Sequence, residues 1–190
     1  MKLKDCCIIK TGLVLSRKIS DNELATYKYR QMTLKSVQSD GSVICDEFND
    51  FYSDEIIKEN YIAQIGDVIL RLTSPFTAIY IGDELEGVVV PSHFVIIKSD
   101  KKTAYPQYIT WFLNRDKIKK LMLSSCTGAL LQIKPTFISD IDIKLPPLST
   151  QKKVIDINEL AMSELRLYNK LIEQKKQYYK QLTNKISKIK

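Results

Sequence analysis

From Ser149 to Lys190 the chain contains neither glycine nor proline, and directly before that stretch stands Pro146-Pro147. No other feature limits the fold so strongly. Pro146 cannot donate to a strand ladder, and Pro147 pushes its predecessor out of the α region, so the dipeptide ends the preceding strand and fixes an extended exit. Ser149 or Thr150 can then cap a helix that starts near Gln151. About 39 helical residues reach ~58 Å at ~1.5 Å per residue, more than the small body before them needs as cover.

The pattern within the stretch indicates what covers it. Asn158, Ala161, Leu165, Tyr168, Ile172, Lys175, Tyr179, Leu182, Ile186 and Ile189 follow one another at alternating steps of three and four, and eight of these ten are apolar. That is a coiled-coil seam, widened by Ile157, Leu160, Leu167, Leu171 and Tyr178. Left in water, it would be a larger apolar patch than monomers tolerate. We therefore expect a homodimer through Ala161, Leu165, Tyr168, Ile172, Tyr179, Leu182 and Ile186, with Asn158 and Lys175 setting register or direction.

Residues 1–148 read as one β-rich domain, and 149–190 as its helical appendage. Short strand-like runs alternate with turn residues at Cys6–Lys10, Tyr27–Val37, Val43–Phe48 (the expected hairpin partner of the run before it, across Ser39-Asp40-Gly41), Val68–Thr73, Thr77–Ile81, Gly87–Val90 and His93–Lys98. Asp54–Glu59 reads as a short helix capped by Ser53. Helical spacing of Ile109, Phe112, Leu113, Ile118, Leu121 and Met122 predicts one amphipathic helix over Pro106–Ser124. A strand at Leu130–Lys134, a Pro-led turn at Pro135–Ser139 and an alternating strand at Ile141–Leu145 close the body. The fold class is α+β: a mixed β-rich domain with packed helices, followed by one long C-terminal coiled-coil helix.

The net charge of +7 is concentrated in the tail, where residues 151–190 hold ten basic and four acidic side chains. Residues 36–66 are acidic, with seven carboxylates against Lys58 alone; this band would repel a polyanion and faces away from it. Cys6, Cys7, Cys45 and Cys126 form no Cys-x-x-Cys pair, so reduced core thiols are expected rather than a disulfide framework or a zinc site. His93 reads as a structural histidine. No apolar run approaches a membrane span and no leader-like stretch follows Met1, which places the protein in the cytoplasm.

Ile143-Lys144-Leu145-Pro146-Pro147-Leu148-Ser149-Thr150-Gln151-Lys152-Lys153-Val154-Ile155 resembles the motif that closes each half of the DNA-specificity subunit of type I restriction–modification systems. The resemblance extends to Gly66-Asp67-Val68-Ile69-Leu70, to Tyr108–Leu113, to Thr127-Gly128 through Ile138–Ile141, and to Thr11-Gly12 with Ser16-Arg17-Lys18. It is strong from about 60 to 190 and weak between 20 and 60. The family's subunit has two target-recognition halves and two helices; this chain has one of each. The resemblance therefore implies a half-length subunit whose homodimer restores the two-fold arrangement and reads an interrupted symmetric site, or else a fragment or vestige of a longer one. Met1 next to the first strand and the full-length tail favour the natural half.

By the same resemblance the chain is not an enzyme: it reads double-stranded DNA, and it holds modification methyltransferase subunits and a restriction/translocase subunit. S-adenosylmethionine, Mg and ATP belong to those partners, and this chain carries no cofactor or metal. Its own sequence has no Asn/Asp-Pro-Pro-aromatic motif for a flipped adenine and no glycine-rich cofactor loop. Such a reader needs groups for base edges and for phosphates. Arg17, Lys18, Arg30 and Arg71 are the leading candidates, because arginine can make paired bonds to guanine and both residue types release counterions. Thr73, Ser74, Thr127 and Gln132, near strand ends, are secondary candidates. Two rival readings are a coiled-coil adaptor that binds only protein, and a metal-dependent nuclease built on Asp140, Asp142 and Lys144, which lacks a further acid at a suitable spacing.

Overall fold

Two unbroken apolar runs form the centre of the main sheet. They are Val68–Arg71 and Phe94–Ser99, and their apolar residues are buried on both faces, which is why neither run shows an inside–outside alternation. A computed structural model describes residues 1–15, 25–126 and 131–187 and resolves two units, Met1–Gln151 and Lys152–Lys190. In chain order the strands are β1 (Cys7–Thr11), β2 (Tyr27–Gln31), β3 (Asn49–Ser53), β4 (Val68–Arg71), β5 (Ala78–Tyr80) and β6 (Phe94–Ser99). The helices are α1 (Pro106–Asn114), α2 (Asp116–Ser124), α3 (Pro135–Ser139) and α4 (Leu148–Ile186).

β1, β6, β4 and β5 lie in that order, all antiparallel, with Ile9 opposite Ile97 and Ile69 opposite both Ile96 and Ile79. One face carries Ile69, Ile79, Phe94 and Ile96 into a core with Met32, Val37, Ala63, Ile81 and Val90. The alternate positions, including Val68, Leu70, Val95 and Ile97, occupy the other face. α1 packs on this sheet and buries Tyr108, Ile109, Phe112 and Leu113. Burying one such side chain contributes roughly 1.5–3 kcal/mol.

Two family-like motifs have direct physical explanations. A Cβ on Gly12 would lie 2.2 Å from the Pro91 carbonyl oxygen and 2.4 Å from that of Val90, so only glycine lets β1 run onto that backbone. Gly66 takes φ +94°, a left-handed turn that starts β4. The next residue, Asp67, is buried; it pairs with Lys98 at 2.8 Å and accepts the Gln64 amide at 3.1 Å.

Several elements differ from the sequence reading. β2 ends at Gln31 because Thr33 and Ser36 exchange side-chain and backbone hydrogen bonds that fold the chain out of the ladder. Val37 and Val43 then make a single bridge around Gly41, Cys45–Glu47 forms a 3-10 turn, and the partner of β2 is Asn49–Ser53 rather than Val43–Phe48. The expected helix at Asp54–Glu59 is absent. Ser53 bonds both backbone groups of Glu55, while the buried Ile57 donates its amide to the Tyr29 hydroxyl. Of the expected strand Gly87–Val90, Gly87 is an exposed turn residue at φ +81° and Val88, Val89 and Val90 are buried: Val89 bonds Arg30 and Met32, and Val90 bonds Tyr61.

The helix expected over Pro106–Ser124 breaks at Arg115, whose ψ of 139° is extended. Asn114, the last residue of α1, is held against β5, and Asp116 opens α2 with a carboxylate in its first turn. Leu130 of the expected strand Leu130–Lys134 lies outside the described residues; residues 131–134 give one bridge, Thr73 to Gln132, and Pro135–Ser139 is a short helix. Ile141–Leu145, expected as a strand, gives a single bridge, Asp142 to Lys2; it keeps its alternation, with Ile141 and Ile143 buried, and bonds the N-terminal segment through the Leu3 amide to Ile141 O and the Ile143 amide to Met1 O.

Cys6 and Cys7 are buried neighbours with sulfurs 3.8 Å apart, and burial pushes both thiols up, Cys7 more strongly. All four cysteines are free thiols. His93, expected to be structural, has an exposed side chain at the entry to β6. No helix among the described residues is long and apolar enough to cross a membrane.

Candidate nucleic-acid interface

The end of β4 gathers four of the candidate residues. Ile133 donates its amide to Leu72 O at 2.9 Å and Ser74 donates to Leu131 O at 3.3 Å, so residues 131–133 run beside 72–74 and Gln132 faces Thr73. The Arg71 guanidinium bonds the Thr73 hydroxyl through Nε and Leu34 O through Nη1, both at 2.9 Å. Its Nη2 has no acceptor among the described residues. Burial lowers the pKa of Arg71, which at neutral pH leaves a guanidinium charged. Phe76, buried at φ 52°, turns the chain back into β5. A left-handed non-glycine residue costs roughly 1–2 kcal/mol, which burial of the ring offsets here.

Arg71, Thr73, Ser74 and Gln132 thus form one patch, with Ser74 and Gln132 exposed and Arg71 and Thr73 half-buried. A pre-positioned guanidinium beside hydroxyl and amide groups can donate to phosphate oxygens or to acceptors on base edges. Arg30 lies elsewhere, on β2. It is exposed, donates to Cys45 O at 2.8 Å and stacks on Phe48 at 4.8 Å. Arg30 and Arg71 both bind carbonyls of the 33–48 excursion, through Cys45 and Leu34 respectively. Arg17, Lys18 and Thr127 lie outside the described residues.

The acidic stretch is not a uniform negative surface. Asp50 pairs with Lys28 at 2.8 Å, which lowers the Asp50 carboxyl, and Lys28 also sits over the Tyr52 ring at 5.3 Å. On the nuclease alternative, Lys2 and Lys4 occupy Asp140 at 2.8 and 2.9 Å and hold its carboxyl down to about 2. Among the described residues no group of three or more His, Cys, Asp or Glu side chains is placed to hold a metal ion.

In the second unit, Ala161, Leu165, Tyr168, Ile172, Tyr179, Leu182 and Ile186 are all exposed. Leu160 at 71% and Leu167 at 66% are among the most open large apolar residues described. Sequence reasoning missed Gln151. Its side chain is fully buried in the first unit, and its amide bonds Tyr105, Thr103 and Pro146. The signal available was a polar residue at a fixed distance after two prolines.

The chain is similar in fold to a chain of a type I R-M system from a structure concerned with complex assembly and conformational transition (TM-score 0.72, 16% identity, 99% of this chain and 48% of that one). It is also similar to the HsdS subunit from Thermoanaerobacter tengcongensis (TM-score 0.67, 16% identity, 96% and 46%) and to the type I S subunit from M. genitalium (TM-score 0.55, 9% identity, 93% and 42%). Residues 1–177 match the family model of the type I restriction modification DNA specificity domain, and the chain belongs to that family. It spans about half the length of the solved chains it matches. Among curated proteins none matches it.

Proposed function

We propose that the chain is a sequence-specific DNA reader that acts as a homodimer, each copy supplying one recognition body and one helix. Family membership supports a DNA-specificity role. The observation that carries the dimer is the open apolar stripe on α4, which the helix of a second copy would cover. Two identical bodies related by a two-fold axis read a symmetric site interrupted by an unread spacer. Arg71 with Thr73, Ser74 and Gln132 is the reading patch bet on here, with Arg30, Arg17, Lys18 and Thr127 as further contacts.

In this reading the chain performs no bond chemistry. It carries methyltransferase subunits, which bring S-adenosylmethionine to adenine, and a restriction/translocase subunit that uses Mg and ATP. Light scattering of the pure chain tests the dimer, and filter retention of duplex DNA by the complex with its methyltransferase subunits tests the reading. Twice the chain mass and a loss of retention in Arg71→Glu are expected. A monomer at micromolar concentration contradicts the dimer, and unchanged retention contradicts this patch and favours a protein-only adaptor.

A further inference from the structure

A groove of about 740 Å³ runs beside α2, within the first unit. Lys117, Lys120, Leu121 and Ser124 stand at positions i, i+3, i+4 and i+7 of that helix, so they share one face and line the groove together. Arg115, at the break before α2, adds a third cation and stacks on Trp111 at 5.1 Å. Lys119 lies outside this face and reaches Ser39 O at 3.5 Å. Lys117 and Lys120 are exposed, and among the described residues neither is ion-paired with a carboxylate.

The rest of the lining has a different character. Phe137 and residues 140–144 supply it, with Asp140 and Asp142 next to Lys144. Lys2 and Lys4 occupy Asp140 at 2.8 and 2.9 Å, which leaves the α2 cations without an acid from this side. The floor is apolar: Phe112, Ile118 and Ile141 are buried, while Leu121 is 43% exposed and Phe137 half-buried. The groove is thus basic along α2, apolar in the middle and mixed in charge along 140–144.

That order of properties selects among occupants. A nucleic-acid strand is anionic along its whole length: it would gain from Lys117 and Lys120, but would also lie against Asp142 and gain nothing over Leu121 and Phe137. A second copy's tail is a poor match, since residues 151–190 hold ten basic and four acidic side chains and would bring like charge to α2. An amphipathic helix with acids on one flank only meets all three strips. Its carboxylates face Lys117 and Lys120, its apolar ridge covers Leu121 and Phe137, and its acid-free flank lies beside Asp142.

We propose that this groove is a docking site for an acidic amphipathic helix of a partner protein, held by Lys117 and Lys120 through charge and by Leu121 through burial. It shares no residue with the Arg71 patch, and it stands whether or not the chain reads DNA as a homodimer.

The test uses the full chain and a fluorescein-labelled helical peptide of about 16 residues (~24 Å), with leucines at i and i+4, glutamates along one flank and glutamines along the other. Binding is followed by fluorescence anisotropy. A second peptide replaces the leucines by alanine, and a labelled duplex DNA is titrated in parallel. Lys117, Lys120 and Leu121 are exposed, so their variants keep the fold, and an unchanged thermal midpoint checks this.

Expected is micromolar binding that weakens about tenfold in Lys117→Glu with Lys120→Glu, and about fivefold in Leu121→Gln or with the alanine peptide. Lys101→Glu with Lys102→Glu, an exposed pair outside the groove, leaves it unchanged. Absence of binding at millimolar peptide overturns the inference. An equal loss in the Lys101 and Lys102 variant overturns it too, because the attraction is then only to net charge. So does peptide binding indifferent to Leu121 combined with duplex binding lost in Lys117→Glu with Lys120→Glu, since the groove is then a phosphate contact.

Discussion

Asn114 closes the edge of the main sheet at Ala78: its Nδ2 donates to Ala78 O at 2.7 Å and its Oδ1 accepts the Ala78 amide at 3.0 Å. The side chain takes the place of a neighbouring strand on β5, which is an edge strand. Asn114→Leu strands both backbone groups and is expected to cost about 2–3 kcal/mol. Asn114→Asp keeps the acceptor, loses the donor and costs about half of that. Urea unfolding of the two variants measures both values, and equal stability of wild type and Asn114→Leu would show that solvent replaces the contact.

Gly12 and Gly82 separate two meanings of a glycine. Gly12→Ala drives a Cβ into the Pro91 carbonyl and is expected to cost more than ~3 kcal/mol, seen as a large fall in thermal midpoint. Gly82 has nothing within 4 Å of a Cβ and an extended backbone (φ −98°, ψ −171°), so Gly82→Ala is expected to be neutral or to stabilise by ~0.5 kcal/mol.

Those two positions also show how far the sequence could be read. Thr11-Gly12, Gly66-Asp67 and the double proline were visible as motifs, because turns and close approaches demand particular residues. The central strands were visible because a continuous apolar run of that length has few alternatives. The 33–59 region was misread: Thr33, Ser36 and Ser53 divert the backbone through side-chain bonds whose partners depend on the fold. The gathering of Arg71 with Gln132 was hidden for a similar reason. A single bridge joins residues 59 positions apart, and no periodicity announces it. Gln151 was visible within a motif, yet its burial against Thr103 and Tyr105 was not.

Asp140 gives a pH dependence with a defined sign. Lys2 and Lys4 lower its folded pKa to about 2. A lowered carboxylate contributes stability that is present above its unfolded pKa of ~3.9 and is lost as pH falls through the folded value. Asp140→Asn is therefore expected to flatten the fall of thermal midpoint on acidification from pH ~4 towards ~2. An unchanged slope would mean that the ion pairs, which are exposed, are fully screened by solvent.

The stripe on α4 is tested by charge. Leu165→Lys with Ile172→Lys is expected to give a monomer by light scattering while the strand signal of the body persists in circular dichroism, since each lysine puts a charge into an apolar seam. A dimer that survives both substitutions would place the pairing surface elsewhere.

Mapping methylated adenines in a host genome that encodes the chain and its methyltransferase subunits, with and without the chain's gene, tests the central claim most directly. The expected result is a set of adenines in one symmetric, two-part motif of fixed spacing, methylated only when the chain is present. Identical maps, or a chain-dependent motif without two-fold symmetry, would contradict a homodimer that reads DNA.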